Sequence, residues 1–200
     1  MALTTSDAPQ ESLAALRDSL NALGTRGSFS DRGLREARPE QISATVPHPV
    51  FNLTLDGARQ GNVEAARSTG WRFLLAVDEQ VLASAETRSE GGRQVFSHVN
   101  VGPFVSGTVD ALTVAERIAD GDERLLELRL LNVPALYLMS VWLQPSSEEG
   151  VDDGVFIPIA PAPPGFEANR AYDRGEFTKA LGSAAGSVPD VGRDDEQGGG

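Results

Sequence analysis

Between Ala135 and Leu143 the chain is apolar on both alternate faces, with Tyr137, Met139, Val141 and Leu143 on one and Leu136, Leu138, Ser140 and Trp142 on the other. A strand of this kind loses free energy wherever either face meets water, because full burial of one large apolar side chain is worth about 1.5–3 kcal/mol. It must lie between two layers, or present one face to a partner. Both alternatives are open from the sequence: a buried core strand, or an interface at which Tyr137, Met139 and Trp142 meet another chain.

Its neighbours can be read from the spacing of turn residues. Trp71–Val77, Val81–Arg88 and Gln94–Val101 form a three-strand meander, with Asp78-Glu79-Gln80 and Glu90-Gly91-Gly92 as turns. Trp71, Phe73, Leu75 and Val77 share a face of the first strand. In the third, strict alternation puts Val95, Ser97, Val99 and Val101 on one face and Phe96, His98 and Asn100 on the other. A second set follows: Arg124–Val133, Ala135–Leu143 and Gly154–Ala160. Between its last two strands Glu148, Glu149, Asp152 and Asp153 mark a solvated hairpin tip. Pro47 and Pro49 interrupt the alternation of Gln41–Asp56. Proline has no N–H to give to a ladder, so this segment is expected at a sheet edge or as two short pieces.

Leu13, Leu16, Leu20 and Leu23 recur at spacings of three and four, which predicts an amphipathic helix over about Pro9–Leu23, closed by Gly24. Pro103, after Gly102, opens another, with Phe104, Thr108, Ala111, Leu112, Ala115 and Ile118 at helical spacing and Gly121 at its end. Asp173 is placed to cap a short final helix through Phe177 and Leu181. Gly24–Glu40, rich in Gly, Arg and Ser, reads as a mobile solvated connection. The fold class expected is α+β: antiparallel sheet or sheets built from two three-strand sets, with helices packed on one face, an N-terminal amphipathic helix and a disordered C-terminal tail. Residues 1–40 then hold the N-terminal helix and its Gly/Arg-rich connection, 41–182 a single α+β domain, and 183–200 an acidic tail too poor in apolar residues to offset its ordering entropy.

Composition removes several kinds of chemistry. Without cysteine, thiolate catalysis, iron–sulfur clusters and cysteine zinc sites are excluded, and a reducing, cytoplasmic setting is expected. The first residues lack the basic start and apolar core of a signal peptide. Leu125–Leu143 is broken by Glu127, Arg129, Asn132 and Pro134, short of the roughly 20 apolar residues of a membrane span. A net charge of −12 disfavours nucleic acid and anionic lipid and favours basic partners. Phosphate-cradling glycine loops are missing, and Lys179 is the sole lysine, which leaves little for imine chemistry. His48 and His98 are the only histidines and fall in no metal-ligand spacing. The chain is expected to carry no catalytic residue, cofactor or metal.

What remains is binding. The leading expectation is a non-enzymatic protein-interaction or accessory domain, chaperone-like or assembly-related, whose sheet face or strand edge engages a protein partner or a second copy. In outline the element order resembles small secretion-chaperone-like domains. The alternative is a small-molecule-binding domain or small enzyme with a pocket between the sheet and helix 103–119, where Glu86, Arg88, His98, Asn100 and Arg129 supply the convergent polar groups. A third is a structural subunit of a larger assembly.

Overall fold

The computed structural model describes residues 3–146 and 154–189. The meander forms where the turns allow it: β3 (Arg67–Val77), β4 (Gln80–Glu90) and β5 (Arg93–Asn100) pair antiparallel. Gly91 and Gly92 supply positive φ in the second turn, while Asp78 and Glu79 carry it in the first at some steric cost. Later in the chain β6 (Leu126–Val133), β7 (Leu138–Pro145) and β8 (Val155–Pro158) pair antiparallel as well. With β2 (Ser43–Asn52) they make one sheet in the order β5-β4-β3-β2-β6-β7-β8, and β1 (Leu3–Thr4) pairs with β6 beside this path. The β2–β6 and β1–β6 pairs are parallel, so the molecule is α+β with a mostly antiparallel eight-stranded sheet.

The proline-containing segment, expected at an edge or as two short pieces, is one irregular strand in the interior of the sheet, and its prolines explain how. At Val46 (φ 48) a register shift between Thr45 and His48 takes Pro47 out of the ladder, and β2 meets β6 only from Val50 to Asn52. The first half of β2 has a strand on one side only, as proline demands. β1 takes the place left on β6, with Leu3 opposite Leu126 and Thr4 opposite Glu127.

Helices cover both faces of the sheet, which corrects the expectation of one-sided packing. Along β6, Leu126, Leu128 and Leu130 share a core with Ala111, Leu112 and Ala115 of α4 (Pro103–Asp120). Leu131 and Val133 share another with Phe177 and Leu181 of α5 (Arg174–Gly186). Successive side chains leave a strand on opposite faces, so α4 and α5 lie on opposite sides. Leu74 belongs to the α4 core; its neighbours Phe73 and Leu75 face the other way, where Leu16 and Leu20 of α1 (Gln10–Thr25) cover them. The doubly apolar strand is therefore buried on both faces, with Val141 and Leu143 under α4 and Leu138 and Trp142 toward α5. Trp142, Phe156 and Phe177 stack in succession, with ring centroids 5.6 and 4.3 Å apart.

The stretch after α1, expected as a mobile solvated connection, holds α2 (Arg32–Glu36) instead. Asp31 caps it, its carboxylate accepting from the Leu34 N–H at 3.0 Å, and Phe29 and Leu34 are buried beside α1. A single Phe and a single Leu anchor an otherwise polar segment. α3 (Leu55–Arg59), which no periodicity announced, sets Ala58 in the same core as Phe177. Asp173 caps α5 by accepting from the Glu176 N–H at 2.7 Å. Residues 183–186 of the expected tail belong to that helix and Ala185 is buried. Residues 190–200, and the acidic hairpin tip with Glu148, Glu149, Asp152 and Asp153, lie outside the described residues. Among those described, no helix is long and apolar enough to cross a membrane.

Candidate functional site

A sheet that does not close must end in two edges, each with a row of main-chain donors and acceptors to satisfy. At β8 they are engaged: Phe156 and Tyr172 exchange N–H to O bonds of 2.9 Å in both directions. At β5 the sheet ends with no further strand among the described residues. Alongside β5 runs a groove of about 260 Å³, with Leu23, Phe29 and Leu34 on its helical side and Phe96, Val99 and Val101 on the strand.

His98 also lines this groove, from the other face of the strand, because of a β-bulge. Thr87 pairs with Phe96 and Glu86 with His98, so Ser97 is one residue extra on β5. The insertion resets the alternation. Phe96 and Val99 both join the α1 core, while His98 and Asn100 face the α4 side. Strict alternation had grouped Phe96 with His98; one inserted residue separates them. The groove accordingly wraps over the strand edge, apolar on one side and carrying an imidazole on the other.

Behind His98 a polar row crosses three strands: Arg72 on β3 stands opposite Glu86 on β4, and Glu86 opposite His98 on β5. Arg72 is 1% exposed. Its Nε donates to Glu86 Oε1 at 2.9 Å and its Nη1 lies 3.5 Å from Met139 Sδ, so the cost of burying a guanidinium is offset by a carboxylate and a soft acceptor. Glu86 Oε2 is left 3.8 Å from His98 Nε2, and Ser97 Oγ hydrogen-bonds His98 Nδ1 at 2.8 Å. The two ring nitrogens are thus flanked by different groups, Nδ1 by the serine hydroxyl and Nε2 by the carboxylate. Arg72 holds Glu86, and Glu86 and Ser97 together orient a half-exposed imidazole at the groove.

His48, paired with Arg72 across β2 and β3, is of another kind. It is buried, and its Nδ1–H donates to the Val46 carbonyl at 2.7 Å. Burial pushes its pKa down to about 4; the Val46 hydrogen bond opposes this and the Arg72 charge adds to it. At neutral pH His48 is an uncharged brace for the irregular turn of β2.

The residues singled out from the sequence divide as follows. Glu86 and His98 come together, with Asn100 on the same face opposite Ser84. Arg88 shares the face but is exposed and pairs with Glu90 at 3.1 Å. Arg129 lies on the opposite face of the sheet, its guanidinium 5.2 Å from the centre of Phe51 and 5.1 Å from that of Trp142, with Glu127 as its ion-pair partner. The five polar residues are thus split between two faces. Trp142 is buried toward α5, Met139 packs on the α4 side, and Tyr137 stands 83% exposed just before β7, so these three form no common surface. Arg72, Phe29 and Leu34 escaped the sequence reading. Arg72 did leave a signal, since an arginine among Trp71, Phe73 and Leu74 must find an acidic partner across the sheet.

No family model, curated protein or solved structure matches the chain.

Proposed function

We propose that the chain is a non-enzymatic protein-interaction domain whose partner lays an extended, basic segment along the outer edge of β5 and sets an apolar side chain in the adjoining groove. The observation that carries this reading is the asymmetry of the sheet: β8 is covered by Tyr172, whereas β5 ends the order beside an apolar groove. Strand addition of this kind draws affinity from main-chain hydrogen bonds and specificity from alternate side-chain pockets. The bulge at Ser97 confines regular pairing to the two sides of that residue, and the groove flanks the second, His98–Val101.

The partner's basic character follows from charge. The chain carries −12, Asp31 lines the groove, and Glu86 stands 3.8 Å behind the His98 imidazole that also lines it. Three or four added hydrogen bonds at about 1 kcal/mol each, with one buried side chain at about 2–3 kcal/mol, correspond to binding in the micromolar to millimolar range.

A random-peptide display library panned on the full chain tests this. Enriched peptides should alternate apolar residues and carry Lys or Arg. On titration they should shift the amide resonances of Arg93–Val101 and of Phe29–Leu34, with affinity falling as salt rises. Val101 is 42% exposed, so Val101→Glu should weaken binding at least tenfold while leaving the melting temperature unchanged. Peptides that shift only other surfaces, or a library that enriches nothing, would overturn the reading.

A further inference from the structure

We infer that His98 gates the β5 edge by pH: with its imidazole neutral the edge takes a basic strand, and with it protonated the edge turns that strand away. This rests on the reading of β5 as a strand-addition site and adds the regulation of that site. His98 is 45% exposed on the open strand and lines the groove, with its Nε2 3.8 Å from Glu86 Oε2. That oxygen is the contested group. Glu86 Oε1 already accepts from Arg72 Nε at 2.9 Å, and a guanidinium does not discharge in a protein, so Arg72 and Glu86 balance each other as a pair. Only Oε2 is left to receive a further cation.

A residue added opposite His98 sets its side chain on the same face, with the Cβ atoms about 4.5–5.5 Å apart. A lysine or arginine there reaches toward Glu86 Oε2 past a neutral imidazole. A protonated imidazole holds that oxygen itself and places a like charge beside the incoming one. The other charges around His98 are few. On β4, Arg88 shares its face and is paired with Glu90; on β3 stands Arg72, and beyond it on β2 His48, whose pKa of about 4 keeps it neutral. α4 packs on this side through uncharged side chains, and its Asp110, Glu116, Arg117 and Asp120 are exposed. From α2, Asp31 is the only other titratable side chain among the described residues lining the groove, and its carboxylate accepts from the Leu34 N–H. Between pH 7.5 and 5.5 imidazoles, and not carboxylates, ordinarily change charge, and His98 is the imidazole at the edge. The sign follows by linkage. A bound basic strand disfavours the protonated form, so affinity is full at neutral pH and falls as the pH drops, and binding in turn moves the imidazole's midpoint to lower pH.

A peptide enriched on the full chain, chosen without His, Asp or Glu and with blocked termini, keeps its own charge constant and serves as the probe. Its affinity by isothermal titration should weaken about three- to tenfold from pH 7.5 to 5.5, as a shift of about one unit in the imidazole's midpoint allows. The His98 ring resonances, followed over the same range with and without peptide, should show that shift directly, to lower pH in the complex. His98→Gln, which keeps a hydrogen-bonding side chain without a titratable one, should bind with an affinity that is constant over the range. Peptide bound at β5 with equal affinity at both pH values, or more tightly at pH 5.5, overturns the gate and leaves the edge reading standing. So does a ring midpoint that the peptide leaves where it was, or a His98→Gln chain with the full wild-type dependence. Absence of binding at β5 at either pH overturns the edge reading and the gate with it.

Discussion

His48 sets one part of the fold's response to acid. Its folded pKa, about 4, lies below its ordinary 6.5, so the unfolded chain takes up the proton first. Its contribution is fully present above pH 6.5, falls as the pH drops, and is lost by about pH 4. Over that interval the loss amounts to about 3 kcal/mol. Urea unfolding of His48→Asn should accordingly show a flatter decline of midpoint between pH 6.5 and 4 than the wild type; parallel curves would show that the imidazole is not the group responsible. Asp122, held down to about 2 chiefly by side-chain hydrogen bonds from Arg124, acts in a separate window below its ordinary 3.8. At this scale the sequence is least legible. The prolines on either side of His48 point to an exposed turn residue, yet it is a buried brace, while His98, expected as a hydrogen-bonded strand residue, lines the β5 groove and bonds Ser97. The bulge at Ser97, which decides what His98 faces, leaves no mark in an alternating strand.

Among elements, those with a strong local signal are where periodicity and capping put them. The helix expected over Pro9–Leu23 runs from Gln10 to Thr25, and Pro103 and Gly121 bracket α4. The misreadings share a cause, which is that tertiary contacts outweigh local composition. Phe29 and Leu34 organise a polar stretch because α1 and the sheet offer them a site, and β2 tolerates its prolines because β1 completes β6. A similar contest can be posed at Gly107 of α4. Alanine there should favour the helix by about 1 kcal/mol. Its Cβ would, however, lie 2.2 Å from the Ala160 carbonyl oxygen, an overlap with backbone that costs about 1–3 kcal/mol or more. Gly107→Ala should lower the melting temperature. Gly186→Ala in α5, where a Cβ meets nothing within 4 Å, should leave it unchanged or raise it slightly. Equal effects at the two sites would mean that α4 does not approach Ala160 this closely.

For the whole molecule, the sequence made α+β legible because three-strand stretches with short turns alternate with amphipathic helices. Which faces the helices cover was not legible, since a strand apolar on both sides demands two layers without saying what supplies them. The resulting sheet leaves one edge covered by Tyr172 and one bordered by an apolar groove, and the proposed function rests on that difference. Amide hydrogen exchange in the unliganded chain reads it directly. Alternate amides of Arg93–Asn100 should exchange quickly, those turned outward having no strand to bond, while the Phe156 amide, bonded to the Tyr172 carbonyl, should be strongly protected. Uniform protection along β5, equal to that of Phe156, would mean that the β5 edge is already occupied and would contradict the account.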